Sequence, residues 1–361
     1  MMKIRPAPVA FVALAVCAIR LPAQGLEALW YSTSSEHSTK AFLDHADQIS
    51  IVSPQVFMFV RDGSIRGKVD QRVIDKAKEK GVKLVPLVMN PGFDQAMMHH
   101  ILTTKSARAK AIHSMTALCR DNHFAGIQFD IENVHVSDKD VFTSFSRETA
   151  DSLHAVGCTL SAAVVPRISE DPGPTTYHKW IFDNWRGVYD YKALAESMDF
   201  LSYMTYAQHT GASTAGPVAG YRWVKDCLDH LIALGVPPSK ISLGLASYSD
   251  HWFPVYDTAK GPRMRGSDAS YASVMSILAK RNVTATWDDT DKALRAEWSE
   301  AGIYESAWIE DARAFMAKLE LVKQYKLRGY SVWVLGTEDP KTWDAIRAGG
   351  ADGARIQPRG R

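Results

Sequence analysis

Two carboxyl side chains stand two residues apart in one short, otherwise apolar segment. Residues 126–133 read Gly-Ile-Gln-Phe-Asp-Ile-Glu-Asn, so Gln128, Asp130 and Glu132 alternate with apolar residues. Side chains two apart in a β-strand point to the same face. The pattern therefore predicts a strand with an apolar face packed under helices and a polar face that carries both carboxyls.

Two carboxylates on one buried face repel each other, so the pair holds one proton more tightly than an isolated carboxyl does. A carboxylic acid that keeps its proton near neutral pH can donate it to a leaving group. The alternative is a structural pair whose oxygens are satisfied by hydrogen bonds. Which of the two applies depends on where the fold places the pair.

The surrounding sequence alternates apolar runs with amphipathic segments. The runs that predict strands cover 26–31, 56–60, 82–89, 126–131, 159–165, 200–206, 241–248 and 329–335. Segments with the 3.6-residue period of helices cover 71–80, 107–120, 139–155, 221–234 and 308–325. Eight strands alternating with helices predict an α/β fold, the (β/α)8 TIM barrel. An open doubly wound sheet is the alternative, but the glycine-rich turn typical of its first strand is absent from the sequence.

Active sites of such barrels lie at the C-terminal ends of the strands. Glu132 then lies nearest the barrel mouth, which favours chemistry over a structural role. Tyr206, at the end of the sixth strand, can offer its phenol to a substrate oxygen, and Trp333, in the eighth, can stack on a sugar ring. As single aromatic residues, both are also compatible with filling the core.

Further aromatic residues lie near other strand ends. Tyr31 and Trp252, near the ends of the first and seventh strands, are candidates for substrate binding, with core or rim positions as the alternative. The connection between the last two strands is too long for one crossover. We therefore expect a small insertion at about 254–307, between strands 7 and 8, over the mouth of a barrel domain that spans 24–348.

Several motifs resemble those of glycoside hydrolase family 18, the chitinase family. The segment 126–132 is similar to its signature strand, Asp-Gly-x-Asp-x-Asp-x-Glu, and Met204-Thr205-Tyr206 to its sixth-strand motif, Met-x-Tyr-Asp. Trp333 matches its eighth-strand tryptophan. The branch of spore-germination and cortex-lytic glucosaminidases is the most similar, on four stretches in order: 129–134, 189–194, 216–224 and 333–339.

This resemblance implies substrate-assisted retaining hydrolysis next to N-acetylglucosamine, with peptidoglycan favoured over chitin. Glu132 is then the general acid, and Asp130 orients the acetamido group whose oxygen attacks the anomeric carbon. Tyr206 hydrogen-bonds that group, and Trp333 forms the floor under the sugar. Neither a metal ion nor an organic cofactor is required.

Three positions depart from the family pattern. Ala125 and Gln128 stand where the signature has aspartates, although the germination branch tolerates an amide near the second. Ala207 replaces the aspartate that contacts the sugar in relatives. Gln208 or His209 is a candidate to compensate, and Gln128 and Gln208 complete the expected substrate-binding residues. These departures also keep open a non-catalytic, lectin-like barrel that binds the same glycans; an unrelated barrel enzyme is a third alternative.

The N-terminal residues 1–23 read as a secretory signal peptide, with Lys3 and Arg5 before a short apolar run. We therefore expect a secreted or periplasmic protein without a membrane span, which acts as a monomer on an N-acetylglucosamine-containing polysaccharide. Because the three basic residues of this leader carry the excess charge, the rest is nearly neutral, and this argues against a nucleic-acid partner.

The remaining segments add little to the functional prediction. Cys119, Cys158 and Cys227 lie in apolar segments, which indicates buried free thiols, and their spacing does not match a zinc site. The last residues, 349–361, read as a flexible tail rich in Gly and Arg.

Overall fold

A computed structural model describes residues 26–210 and 213–351. The predicted leader 1–23 and the part of the predicted tail beyond residue 351 lie outside these ranges. The strands are β1 (Glu27–Ser32), β2 (Ile51–Phe59), β3 (Ile65–Arg66), β4 (Lys83–Leu84), β5 (Leu87–Met89), β6 (Gly126–Asp130), β7 (Thr159–Val164), β8 (Phe200–Tyr203), β9 (Ile241–Ala246), β10 (Ser249–Asp257), β11 (Gly261–Ala269), β12 (Thr286–Asp288), β13 (Ala293–Glu300), β14 (Ile303–Ile309) and β15 (Gly329–Trp333). The helices are α1 (Glu36–His45), α2 (Gln71–Lys80), α3 (Gln95–Thr103), α4 (Lys105–Asp121), α5 (Lys139–His154), α6 (Thr176–Ile181), α7 (Tyr191–Ser197), α8 (Tyr221–Ala233), α9 (Tyr271–Arg281), α10 (Ala312–Gln324) and α11 (Lys341–Ala351).

Eight parallel strands within the described residues close into a barrel, which confirms the predicted fold. The order is β1, β15, β9, β8, β7, β6, β5 and β2, and β2 pairs back onto β1. Strand β1 closes the barrel, because Trp30 lies opposite Val332 of β15 on one side and Val52 of β2 on the other. No helix in this part of the chain is long and apolar enough to cross a membrane.

Strand β6 shows the predicted division of faces. Its apolar residues point outward, where Phe129 stacks on Phe145 of α5 with ring centroids 5.8 Å apart. Its polar residues point into the barrel, and Gln128 is fully buried there. Apolar packing under the helices therefore forces the polar side chains of β6 onto the barrel axis.

Three predicted elements differ most from the structure at their bounds. Strand β2 begins at Ile51 rather than at residue 56, because inward-facing polar residues interrupt its apolar run. The run 82–89 forms two pieces, β4 and β5, on either side of Val85 and Pro86. The helix predicted from residue 308 begins at Ala312, since Trp308 pairs with Asp250 and Arg295 as part of β14.

A second, antiparallel sheet occupies the connection between barrel strands β9 and β15. Its order is β11, β10, β14, β13 and β12, and it extends from Ser249 to Ile309. Helix α9 covers one face, where Val274 and Leu278 pack against Ala307 and Ile309. The sheet begins directly after β9, so it rises from the C-terminal end of the barrel.

The cysteines correct one prediction. Cys119 and Cys158 form a disulfide with their Cα atoms 6.6 Å apart, so the prediction of free thiols is wrong for these two residues. The bond links the end of α4 to the residue before β7. An apolar context indicates burial, but it does not distinguish a thiol from a disulfide. Cys227 is buried and free, as predicted.

A buried ion pair connects the second sheet to the barrel. Glu310 directly follows β14. Lys318 of α10 donates to both of its carboxylate oxygens, at 2.8 and 2.6 Å. Both side chains are almost fully buried. Burial raises the pKa of Glu310, and the positive charge of Lys318 opposes that rise. The charges compensate each other only while both are present.

Lys318→Met is therefore expected to lower the free energy of unfolding by about 3–5 kcal/mol, because it leaves the Glu310 carboxylate buried without its partner. The measurement is urea unfolding followed by tryptophan fluorescence. Lys323→Met, in an exposed ion pair on the same helix, is the matched control and should cost less than about 1 kcal/mol. Equal losses in the two variants would contradict a structural role for the buried pair.

Candidate active site

The two carboxyls of the signature segment meet at the C-terminal end of β6. Asp130 is the last residue of the strand and is 4% exposed. Glu132 follows two residues later and is half-buried. Their side chains are hydrogen-bonded to each other. The structure therefore brings together the pair that the alternating pattern predicts.

This contact makes Glu132 a carboxylic acid that keeps its proton. Burial, followed by the negative charge of Asp130 and the hydrogen bond between the two groups, raises the pKa of Glu132 well above its usual range. Burial also raises the pKa of Asp130, whereas hydrogen bonds from Gln55 and Glu132 favour its charged form. The proton of the pair accordingly resides on Glu132, which donates to the Asp130 carboxylate.

Two glutamines inside the barrel have different hydrogen-bond partners. Gln55 of β2 donates from Nε2 to Oδ2 of Asp130 at 3.1 Å and so fixes the orientation of that carboxylate. Gln128 donates from Nε2 to the Ser161 hydroxyl at 3.0 Å and accepts from Ser53 at 3.5 Å. Because Gln128 is fully buried and satisfied by serines, the structure does not bring it to the substrate side of the carboxyl pair.

The main chain around Glu132 is held by a neighbouring strand. Asn90, directly after β5, donates from Nδ2 to the carbonyl of Glu132 at 2.9 Å and accepts from its amide at 3.2 Å. The hydroxyl of Tyr189 donates to the carbonyl of Ile131 at 2.9 Å. Although Glu132 lies beyond the last residue of β6, hydrogen bonds therefore fix the position of its main chain.

Sequence reasoning did not identify Gln55, Asn90 and Tyr189 as site residues. Asn90 could have been found, because it is the first polar residue after the predicted third strand and strand ends carry the site. Gln55 could have been found from its alternation with Ser53, had the strand been extended to Ile51. Tyr189 contacts the main chain of Ile131. The position of Tyr189 in the sequence, relative to the carboxyl residues, does not indicate such a contact.

Aromatic side chains surround the space above the carboxyl pair. Tyr206 packs edge-on against Tyr248, with ring centroids 6.4 Å apart. Tyr206 and Trp333 both pack against the buried cluster that contains Tyr248. Trp333 also contacts Tyr31 at 5.6 Å between ring centroids. Burial, then the charges of Tyr31 and Asp130, raise the pKa of Tyr206, so its phenol stays protonated and can donate.

The other predicted substrate-binding residues lie deeper or farther away. Tyr31 is 1% exposed and hydrogen-bonds to Ser202, so it supports Trp333 from inside the barrel. Gln208 accepts from the amide of Gly220 at 2.7 Å and shapes the loop after β8.

Trp252 is buried in the second sheet against Ala293 and Trp308. The structure does not bring Gln208 and Trp252 into contact with the carboxyl pair.

Within residues 26–210 and 213–351, no group of three or more His, Cys, Asp or Glu side chains is arranged to hold a metal ion. The chemistry available to the described side chains is proton donation by Glu132, stabilisation of positive charge by Asp130 and hydrogen bonding by Tyr206.

The chain is similar in sequence to a known family and to several of its characterised and uncharacterised members. The sequence model described as Glycosyl hydrolases family 18 matches residues 27–338. The uncharacterized glycosylase YvbX of Bacillus subtilis is 22% identical over 325 residues, which cover 88% of this chain and 90% of YvbX. The cortical fragment-lytic enzyme of Bacillus subtilis is 28% identical over 255 residues, 70% of this chain, and this chain spans only 56% of that enzyme.

Solved structures share the fold. The spore cortex-lytic enzyme SleL of Bacillus megaterium superposes with a TM-score of 0.80 at 24% identity, covering 93% of this chain and 76% of SleL. A chitinase from Chromobacterium violaceum has a TM-score of 0.79 at 26% identity, covering 90% of this chain and 99% of the chitinase. The barrel with its second sheet is therefore an architecture that occurs in other proteins.

Removal of the Asp130 charge should lower the pKa of Glu132. In Asp130→Asn the repulsion between the two groups disappears, whereas burial of Glu132 remains, so its pKa should fall without reaching the usual value of about 4.3. The measurement is an NMR pH titration of ¹³C-labelled glutamate carboxyls, with Glu132→Gln to assign the resonance. Asp171→Asn, at an exposed position, should leave the titration unchanged. An unaltered Glu132 resonance in Asp130→Asn would mean that the two carboxyls do not interact.

Proposed function

The chain belongs to glycosyl hydrolases family 18, and from this premise we propose that it cleaves β-1,4 linkages next to N-acetylglucosamine. It is a glycoside hydrolase related to cortex-lytic enzymes, so the lectin-like alternative and an unrelated barrel enzyme are set aside. The observation that carries the proposal is the carboxyl pair, in which Glu132 keeps a proton beside the charged Asp130.

The proposed reaction proceeds with retention in two steps. Glu132 transfers its proton to the glycosidic oxygen, and the bond from that oxygen to the anomeric carbon breaks. The carbonyl oxygen of the substrate's own 2-acetamido group forms a bond to the anomeric carbon, which gives an oxazolinium ion. Water then attacks the same carbon and gives a proton to the Glu132 carboxylate, which restores both the acetamido group and the acid.

Asp130 and Tyr206 position the acetamido group in this proposal. The Asp130 carboxylate, oriented by Gln55, accepts from the acetamido N–H and stabilises the positive charge of the oxazolinium ion. Tyr206 donates its phenolic hydrogen to the acetamido carbonyl. Trp333 lies under the sugar ring, and Tyr31 holds the Trp333 side chain in place.

The proposed substrate is peptidoglycan rather than chitin. The cortical fragment-lytic enzymes of Bacillus subtilis and Bacillus cereus, at 28% and 25% identity, support this choice by their names. We further propose that residues 1–23 are a cleaved signal peptide, that residues 24–348 are the catalytic domain, and that the mature protein acts as a monomer outside the cytoplasm.

Glu132→Gln should lower kcat on peptidoglycan by about 10²–10⁴-fold, because an amide cannot protonate the leaving group. The measurement is mass spectrometry of the products from purified peptidoglycan and, separately, chitin oligomers. Glu196→Gln, at an exposed position, is the control and should retain full activity. New N-acetylglucosamine reducing ends that form at the same rate with wild type and Glu132→Gln would remove Glu132 from the mechanism.

A substrate without the acetamido group tests the source of the nucleophile. If that group attacks the anomeric carbon, oligomers whose cleavable sugar is de-N-acetylated should bind but not react, with kcat reduced at least about 10²-fold. The comparison is between purified peptidoglycan that wild type cleaves and the same peptidoglycan after de-N-acetylation of its N-acetylglucosamine, at equal concentration. Equal rates on the two substrates would exclude substrate assistance and require a nucleophile from the protein.

A further inference from the structure

The connection that leaves the barrel after β7 carries several exposed hydrophobic side chains. Seven large hydrophobic side chains are exposed among the described residues, and three of them, Ile168, Tyr177 and Trp180, lie in this connection. Tyr177 and Trp180 stand three residues apart on α6, so they are neighbours on the surface of that helix. Because the connection begins at the C-terminal end of β7, it lies at the mouth of the barrel.

The two aromatic rings of α6 lie side by side and are open to the solvent. Their centroids are 5.8 Å apart and their planes differ by 24°, while Tyr177 is 43% and Trp180 50% exposed. The charge of Lys179, which lies between them in the sequence, is compensated by Asp183 at 2.5 Å. Exposed hydrophobic groups that cluster in this way mark binding grooves and interaction sites.

One buried arginine fixes both ends of the connection. Arg167 is almost fully buried and binds both carboxylate oxygens of Glu170, at 2.6 and 2.9 Å, near the beginning. It also donates to the carbonyls of Arg186 and Tyr189, at 2.7 and 3.1 Å, near the end. Helix α6 is therefore presented by a loop whose ends are held together, so its exposed rings are not part of a loose chain.

Side-chain amides connect α6 to the loop of the proton donor. Asn184 donates from Nδ2 to the carbonyl of Trp180 at 2.8 Å and accepts from Nε2 of Gln95 at 3.1 Å. The same nitrogen of Gln95 donates to Oδ1 of Asn133 at 3.4 Å, and Asn133 directly follows Glu132. These hydrogen bonds fix the position of the aromatic pair relative to the carboxyl pair.

A π-helical turn over Phe182–Arg186 adds a second contact between the same two regions. Within this turn, Trp185 packs edge-on against Phe93, with ring centroids 5.8 Å apart. Asn133 in turn donates from Nδ2 to the carbonyl of Phe93 at 2.9 Å. Turns of this kind are rare and are frequent at functional sites, which agrees with a role of the connection in binding.

We propose that Trp180, with Tyr177 beside it, packs on a sugar ring of the glycan strand where the strand runs out of the cleft. The inference rests on the proposed function and adds a contact for the same polymer away from the cleaved bond. A broad aromatic ring matches the C–H face of a pyranose, and it needs no charge on the ligand. The glycan is the expected occupant because α6 is continuous, through Gln95 and Asn184, with the loop that carries the acid.

The test measures binding to the Glu132→Gln chain by calorimetry. The ligands are long peptidoglycan glycan strands freed of their stem peptides, and the tetrasaccharide of the same repeat. Trp180→Ala should weaken binding of the long strands about tenfold, because one stacked sugar loses its partner, and should leave the affinity for the tetrasaccharide at the carboxyl pair unchanged. Tyr177→Ala should act in the same direction, and Trp180→Phe should retain much of the affinity.

Tyr256→Ala, at an exposed aromatic residue of the second sheet, is the matched control and should leave both affinities unchanged. An unchanged strand affinity in Trp180→Ala, or an equal loss for the two ligands, would overturn the inference. A dimer that Trp180→Ala converts to a monomer in sedimentation would assign the aromatic pair to a contact between two copies and would also overturn it. Because binding is measured without turnover, a wild type that binds the strands but cleaves no glycan would refute the proposed function alone.

Discussion

Two carboxyl groups in contact at the partly buried end of a strand compete for one proton, because the charge of each disfavours ionisation of the other. This electrostatic constraint gives the site its chemistry, because it leaves one acid protonated and one base charged within a single contact. The remaining site residues serve to maintain that contact. Gln55 orients the charged partner, Asn90 fixes the main chain of the protonated one, and Tyr189 holds the residue between them.

The barrel supplies this environment through the alternation of its strands. Outward residues such as Phe129 pack against helices, so their inward neighbours have to satisfy one another in a narrow interior. Serines and glutamines form the lower layers, where Gln128 is bound by Ser53 and Ser161. The carboxyls occupy the layer above, where the interior begins to open. A carboxyl at the level of Gln128 would be buried without access to a substrate.

Much of this arrangement could be predicted from the sequence, because it follows from local patterns. The apolar runs identified the barrel strands, and the two-residue spacing identified Asp130 and Glu132. The predictions failed where a partner is distant in sequence. The disulfide between Cys119 and Cys158, the clamp of Asn90 on Glu132 and the pairing of Trp308 with Asp250 all depend on contacts between segments. Gln55 was missed because the polar residues that build the site also interrupt the apolar run that marks its strand.

Asn90 hydrogen-bonds to both the amide and the carbonyl of Glu132, and this affects how such a barrel can diversify. The acid is tied to the register of a neighbouring strand, so its position does not depend on the length or composition of the loops around the mouth. Those loops, and the second sheet among them, are free to exchange, lengthen or acquire new side chains while the proton donor stays where it is. Substrate range and reaction chemistry can thus evolve on separate parts of one chain.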